Sequence, residues 1–149
     1  MTYLIDTNII VHFVRDSALY KAVENDYQIF ESPNKVVISE VSIGEIYSLS
    51  KRNRWGERRM ERLERFLSSL TVAPISYHPD IYRAYAIIDA YSQSKHPTFS
   101  LPQGVNARNM GKNDVWIAAT AYVLRATLVT TDKDFDHLQR FFGLEWVGQ

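Results

Sequence analysis

The sequence predicts an α/β domain built on a mainly parallel sheet of four to five strands, with helices on both faces. Three observations predict it. Short apolar, β-branched runs recur along the chain, helical periodicities lie between them, and most runs end on polar residues able to cap a helix. Tyr3-Leu4-Ile5 is the first run and ends at Asp6-Thr7-Asn8, a strand followed by cap residues. Val36-Val37-Ile38 is the second, ending at Ser39, a good N-cap. Residues 40–52 then read as a helix with Ile43, Ile46, Tyr47 and Ser50 on one face. A helix over 57–70 carries Met60, Leu63, Leu67 and Leu70 at helical spacing. Residues 71–75 read as a third strand, which Pro74 confines to an edge or to the strand's end. Pro79 opens a helix that runs through Tyr91.

Residues 95–111 contain Pro97, Pro102, Gly104 and Gly111 and few periodic apolar positions, so they read as a long loop. Asn113 is the expected cap of a helix from Asp114 to about Leu124. Thr127-Leu128-Val129-Thr130 is a fourth strand, 134–142 a short helix and 144–147 a last strand. This alternation of strand and helix requires parallel crossovers. Ligands of such sheets bind outside the carboxyl ends of the strands.

At 149 residues the chain suits one domain, 1–149, with a real core. Seventeen basic and seventeen acidic residues cancel, so no global positive field marks a nucleic-acid binder and any such role rests on local patterning. The absence of cysteine excludes disulfides, thiolate metal sites and cysteine nucleophiles. An acid at position 6, with no basic leader and no apolar run of about 18–20 residues, predicts neither a signal peptide nor a membrane span. The expected location is intracellular, in the cytoplasm.

Acids fall where ligands of such a sheet bind. Asp6 ends strand one, Asp132 and Asp134 follow strand four, Glu45 lies early in the helix after strand two, and Asp114 lies in the first turn of the helix leading into strand four. Asp114, Ile117, Ala118 and Ala121 follow the i, i+3, i+4, i+7 spacing, which turns the carboxylate toward the core side. Each acid alone is equally a helix cap, a turn residue or a solvated helix position. Together they would repel and raise one another's pKa unless a cation neutralised them. An oxygen-only donor set selects a hard cation, Mg²⁺ with Mn²⁺ able to substitute. His12, His78, His96 and His137 are scattered, without zinc-site spacing, and receive no role.

Four segments carry a resemblance: Tyr3-Leu4-Ile5-Asp6-Thr7-Asn8, Ile38-Ser39-Glu40-Val41-Ser42-Ile43-Gly44-Glu45, Asn113-Asp114-Val115-Trp116-Ile117-Ala118-Ala119 and Leu128-Val129-Thr130-Thr131-Asp132-Lys133-Asp134-Phe135. In this order they resemble the PIN-domain ribonucleases, most closely the VapC toxins of bacterial and archaeal toxin–antitoxin pairs. The resemblance covers the whole chain and implies a PIN-like fold. It implies a catalytic quartet of Asp6, Glu45, Asp114 and Asp132, with Asp6 and Asp114 as the main metal ligands. Asn8 and Thr130 would orient them, and Asp134 would be an auxiliary acid that competes with Asp132 for the fourth place. It further implies Mg²⁺-dependent hydrolysis of RNA by an activated water, a homodimer, and a VapB-like antitoxin whose tail occupies the groove. The segment 95–109 departs from the family by its bulk, and either shapes the substrate entrance or is inert.

From Lys51 to Arg65 seven basic residues stand against three acids, the one basic stretch of a neutral chain. Lys51, Arg52 and Arg54 are the candidate RNA contacts, with Trp55 as a stacking aromatic. Tyr47 and Trp55 equally suit a partner surface. Glu61 and Arg65 have the spacing of a helical ion pair, which reads as a solvated face. Two other classes compete. One is a PIN-like RNA-binding or protein-interaction module whose acids only cap helices. The other is a response-regulator-like receiver, disfavoured because strand two ends in Ser39 and not in Asp.

Overall fold

A computed structural model describes residues 1–147. Its five strands are β1 (Thr2–Ile5), β2 (Lys35–Ser39), β3 (Thr71–Ala73), β4 (Thr127–Thr130) and β5 (Gly143–Trp146). They form one sheet in the order β3-β2-β1-β4-β5, and every pairing is parallel. β3 lies at the edge of the sheet and stops at Ala73, just before Pro74, shorter than the expected 71–75 and within both placements that the proline allows. The helices are α1 (Thr7–Val14), α2 (Ala18–Tyr27), α3 (Glu40–Arg52), α4 (Glu57–Ser68), α5 (Ile81–Ser92) and α6 (Lys112–Leu124), with a 3₁₀ turn over Lys133–Leu138. Among the described residues no helix is long and apolar enough to cross a membrane.

The sheet's two faces follow from the twofold alternation of its side chains. Leu4, Val37, Ala73 and Leu128 face one way, into a core shared with α5 and α6. Tyr3, Ile5, Val36, Ile38 and Val129 face the other way, into a core shared with α1, α3 and α4. Register keeps each set together, with Leu4 beside both Val37 and Leu128 and Ile5 beside Val129. A slip of one residue would put every one of these side chains on the wrong face.

The strand order fixes where the site forms. The chain moves outward from β1 to β3 on one side, then returns to lay β4 against the other side of β1. That reversal opens a crevice at the carboxyl ends of β1 and β4. Asp6, Ser39 and Asp132 sit at the ends of β1, β2 and β4, and each side chain caps the helix or turn that follows.

Several boundaries differ from the sequence's expectation. α6 begins at Lys112 with Gly111 as its N-cap, so Asn113 lies inside the first turn. α5 begins at Ile81 with Asp80 as its cap, two residues past Pro79. The expected 134–142 helix is the shorter 3₁₀ turn. α4 ends at Ser68 because the chain enters β3 at Thr71. α2 was not expected: it buries only Val23, so its apolar periodicity is weak. Tyr47 is 36% exposed, and the inward positions of α3 are Ser42, Ile46 and Ser50.

Leu63 of α4 and Ile88 of α5 are fully buried on opposite faces of the sheet. Leu63→Ala and Ile88→Ala should each lower the unfolding free energy by about 2–5 kcal/mol, read from urea denaturation at unchanged m-value. A drop under about 0.5 kcal/mol, typical of surface positions, would contradict this packing.

Candidate active site

Asp6 is the innermost member of the site, at 4% exposure. Its backbone N–H still belongs to the sheet, donating to the Val129 carbonyl at 3.0 Å. Its carboxylate is held from two directions. The Thr7 N–H donates to Oδ1 at 2.7 Å, which starts α1, and the Thr130 hydroxyl donates to Oδ2 at 2.7 Å. Thr130 Oγ1 in turn accepts from the Asp132 N–H at 3.0 Å. Asp132 then accepts from the Asp134 N–H at 2.8 Å, opening the 3₁₀ turn. This chain of bonds sets the path of the loop after β4 and with it the positions of two acids. The sequence expectation that Thr130 orients an acid therefore has a geometric counterpart. Asn8 lines the same cavity as an exposed side chain.

Glu45 comes from α3, and its Oε1 accepts from the Thr7 hydroxyl at 3.0 Å. Asp114 comes from the first turn of α6 and is half-buried. Asp6, Glu45, Asp114 and Asp132 all line one cavity of about 710 Å³, together with Asn8, Asn113 and Arg52. Remote segments thus converge as the strand-end placement requires. Asp114, Asp132 and Asp134 converge most closely, each placing one carboxylate oxygen within 4.8 Å of the others'. Asp6 and Glu45 stand outside that trio; each Asp6 oxygen accepts one hydrogen bond and Glu45 accepts one through Oε1.

The electrostatics are those of a crowded anionic pocket. Burial lifts the Asp6 carboxyl from its ordinary 3.8 to about 6; the Thr130 and Thr7 bonds oppose the rise, and the charges of Glu45 and Asp132 add to it. Burial also lifts Asp114 to about 7, reinforced by Asp6, Asp132, Glu45 and Asp134. Among the described residues no ion pair engages any of these acids. The donor set is all oxygen and short of positive charge, which fits a hard divalent cation.

The basic candidates separate. Arg52 lines the acidic cavity, whereas Arg54 lines a different cleft and Lys51 is exposed on α3. Trp55 is not a free stacking platform: it is 9% exposed and packs in the core under α4, with the Arg59 guanidinium 5.4 Å from its ring centre. Glu61 and Arg65 form no ion pair among the described residues.

No residue of the long 95–111 loop lines the acidic cavity. The loop reaches the rim from behind. Its Arg108 donates from Nη1 to the carbonyls of Lys133 and Asp134, at 3.3 Å each. Sequence reasoning left Arg108 out, since a lone arginine in a loop carries no spacing signal. His137 is also unforeseen, a buried neutral residue hydrogen-bonded to Ser92 at 2.7 Å, with its pKa pushed down to about 4 chiefly by burial.

Comparison with known proteins places the chain in a family. The chain is 24% identical over 148 residues to Ribonuclease VapC2 of Haemophilus influenzae, spanning 99% of both proteins. It is 26% identical to Ribonuclease VapC2 of Rickettsia felis, spanning 98% of both. Its fold matches one chain of the crystal structure of VapBC2 from Rickettsia felis bound to a promoter DNA fragment, with a TM-score of 0.73 at 24% identity over 99% of this chain and all of that one. Residues 3–140 match the PIN domain, and the chain belongs to that family.

Proposed function

We propose that this protein is a divalent-metal-dependent endoribonuclease and the toxin of a toxin–antitoxin pair. The observation that carries the reading is the convergence of Asp6, Glu45, Asp114 and Asp132 in one cavity at the carboxyl edge of the sheet. Relatives along nearly the whole chain are named Ribonuclease VapC, which disfavours a module without catalysis. An antitoxin of the VapB kind is the proposed partner, because the structural neighbours are VapBC complexes. A homodimer acting in the cytoplasm is part of the same proposal.

In this reading Asp6 and Asp114 are the principal ligands of Mg²⁺ or Mn²⁺, and Asp132 and Asp134 complete the donor set. A bound divalent cation supplies a water ionisable near neutral pH and offsets charge on the phosphate oxygens. The protein's own part is orientation. Thr130 fixes the Asp6 carboxylate, Asp132 is fixed by its bond to the Asp134 N–H, and Glu45 is braced on Thr7. Arg52, in the wall of the cavity, is the proposed contact to an RNA phosphate, and Lys51, exposed on α3, and Arg54, in the neighbouring cleft, are the further basic edge in this reading. Asn8, exposed at the mouth, offers an amide to the ligand or the substrate.

Cleavage of RNA should require Mg²⁺ or Mn²⁺ and stop in EDTA. Asp6→Asn and Asp114→Asn should each lower kcat by at least about 100-fold, and Thr130→Val by about 10- to 100-fold. A gel assay on a folded Asp114→Asn protein that retains wild-type activity would sink the assignment.

The raised carboxyl values also set a pH signature for the metal-free protein. Asp6 and Asp114 hold protons in the folded state up to about pH 6 and 7, while the unfolded chain releases them near 3.8. Between those values the unfolded state binds fewer protons, so stability falls as pH rises through the window. For buried Asp6 the fall is on the order of 2–3 kcal/mol. Metal-free Tm should therefore drop from about pH 5 to about pH 8, Asp6→Asn should flatten the drop, and millimolar Mn²⁺ should restore Tm at about pH 8. A pH-independent Tm that Mn²⁺ leaves unmoved would contradict the arrangement.

A further inference from the structure

A second concavity, of about 620 Å³, lies apart from the acidic cavity and is lined by Arg15, Arg54, Arg58, Arg59 and Arg62 with Trp55. Among the described residues Glu57 is the only acid in its wall. Among the described residues, too, none of these arginines forms an ion pair, although Glu57, Glu61 and Glu64 share the helix of Arg58, Arg59 and Arg62. α4 starts here at Gly56 without a side-chain cap, so its first backbone N–H groups also lack a side-chain acceptor. The wall thus presents donors and positive charge, and almost no acceptor. Guanidinium forks and a helix N-terminus share one complementary ligand, an oxyanion such as a phosphate.

The backbone at Arg54 points the same way. Arg54 has φ +52, in the left-handed region that glycine occupies freely and other residues reach at a cost of about 1 kcal/mol. It ends the α3 turn, with the Trp55 N–H bonded to the Ser50 carbonyl at 2.9 Å. The same left-handed φ ends α2 at Gln28 and α6 at Arg125, so it marks a helix end; at this one the side chain adds a guanidinium to the cleft.

The cleft is also joined to the acidic cavity by the two helices that build both. α1 has Asn8 at the cavity and Val14 at the cleft; α3 has Glu45 and Arg52 at the cavity, and Arg54 follows it into the cleft. The span along the eight residues of α1 is about 12 Å. A polyanion entering a pocket of carboxylates needs cations beside the reacting position, and the cavity itself offers only Arg52 among its lining residues.

We infer that this arginine cleft is an RNA-backbone exosite, binding phosphates that flank the scissile position while the acidic cavity acts on the bond. The inference rests on the reading of the acidic cavity as the cleavage site. It adds a separate phosphate subsite made by Arg15, Arg58, Arg59 and Arg62, beyond the Lys51–Arg54 edge.

The test uses fluorescence anisotropy with a labelled single-stranded oligoribonucleotide in EDTA, over a salt series, alongside cleavage kinetics in Mg²⁺. The variants are Arg15→Gln and the double variant Arg58→Gln/Arg62→Gln. Both should weaken RNA binding about ten-fold or more, and flatten the slope of log affinity against log salt by about 0.7 for each phosphate that is no longer neutralised. KM for a long RNA should rise with kcat unchanged, while an RNA short enough to reach only the acidic cavity should be cleaved as before. Arg15→Gln, at an exposed position, should do this with Tm unchanged, which separates a missing guanidinium from a misfolded chain. Unchanged affinity and salt slope in both variants would overturn the exosite. So would a poly-glutamate peptide that displaces the RNA at equal charge, since that marks an acidic peptide as the fitting partner. If the wild-type protein binds RNA through these arginines but cleaves none, the exosite stands and the nuclease reading falls. If cleavage of long RNA keeps its KM in both variants, the nuclease reading stands and the exosite falls.

Discussion

A carboxylate buried at the end of the central strand organises the whole rim. Asp6 continues β1 through its backbone N–H, begins α1 through Oδ1, and grips β4 through the Thr130 hydroxyl. An ionised group at 4% exposure is costly unless its charge is satisfied. Two strong hydrogen bonds supply part of that satisfaction, and the remainder is met by holding a proton to about pH 6 or, in the proposed function, by a cation. Thr130 also accepts from Asp132 N–H, so the same residue fixes the loop that carries Asp132 and Asp134. Moving Asp6 would therefore shift the start of a helix, the pairing of two strands and the seats of two further acids.

The rest of the pocket is unfavourable by any purely structural accounting. Burial and mutual repulsion hold Asp6 and Asp114 protonated well above the ordinary carboxyl range. Caps alone do not need this crowding. Ser39 caps α3 with a neutral hydroxyl, and Gly111 starts α6 with no side-chain bond at all. A fold that accepts repulsion at one edge while satisfying its helix starts cheaply elsewhere is showing where a ligand completes it.

Much of this was legible in the residues, for physical reasons. Ser39 followed by a periodic run gave α3 its observed bounds of Glu40–Arg52. The β-branched runs placed β1, β2 and β4, and the carboxyl-end rule for parallel sheets then put Asp6 and Asp132 on one rim. What stayed hidden depended on tertiary contact. α2 buries one residue and carries little pattern. α6 is buried over much of its circumference, including Val115, Ile117, Ala118, Ala119, Thr120 and Ala121, so the spacing that turns Asp114 toward the core side does not show that its carboxylate stays only half-buried, at the cavity. Trp55 looked available for stacking because its neighbours are charged, yet it is anchored among Leu63 and Phe66. The tightest trio, with Asp134 in it, depends on a 3₁₀ turn whose tightness the sequence does not announce. Arg108 reaches that turn from a segment with no periodicity.

A net charge of zero conceals a molecule that separates its charges. α3 begins at Glu40 and ends at Lys51 and Arg52, the order that its dipole favours. The dipole does not explain the whole pattern, because its influence fades within a turn of each end. Glu45 lies beyond the first turn of α3 and is braced on Thr7. Arg54 lies past the last turn, in a backbone conformation that disfavours it. Both residues sit where helix stability gains nothing, one facing the acidic cavity and the other the arginine cleft. What these two placements share is the polarity they create along α1 and α3, acidic at one cavity and basic at the other, which is the polarity that the proposed cation and the proposed phosphate chain would each use.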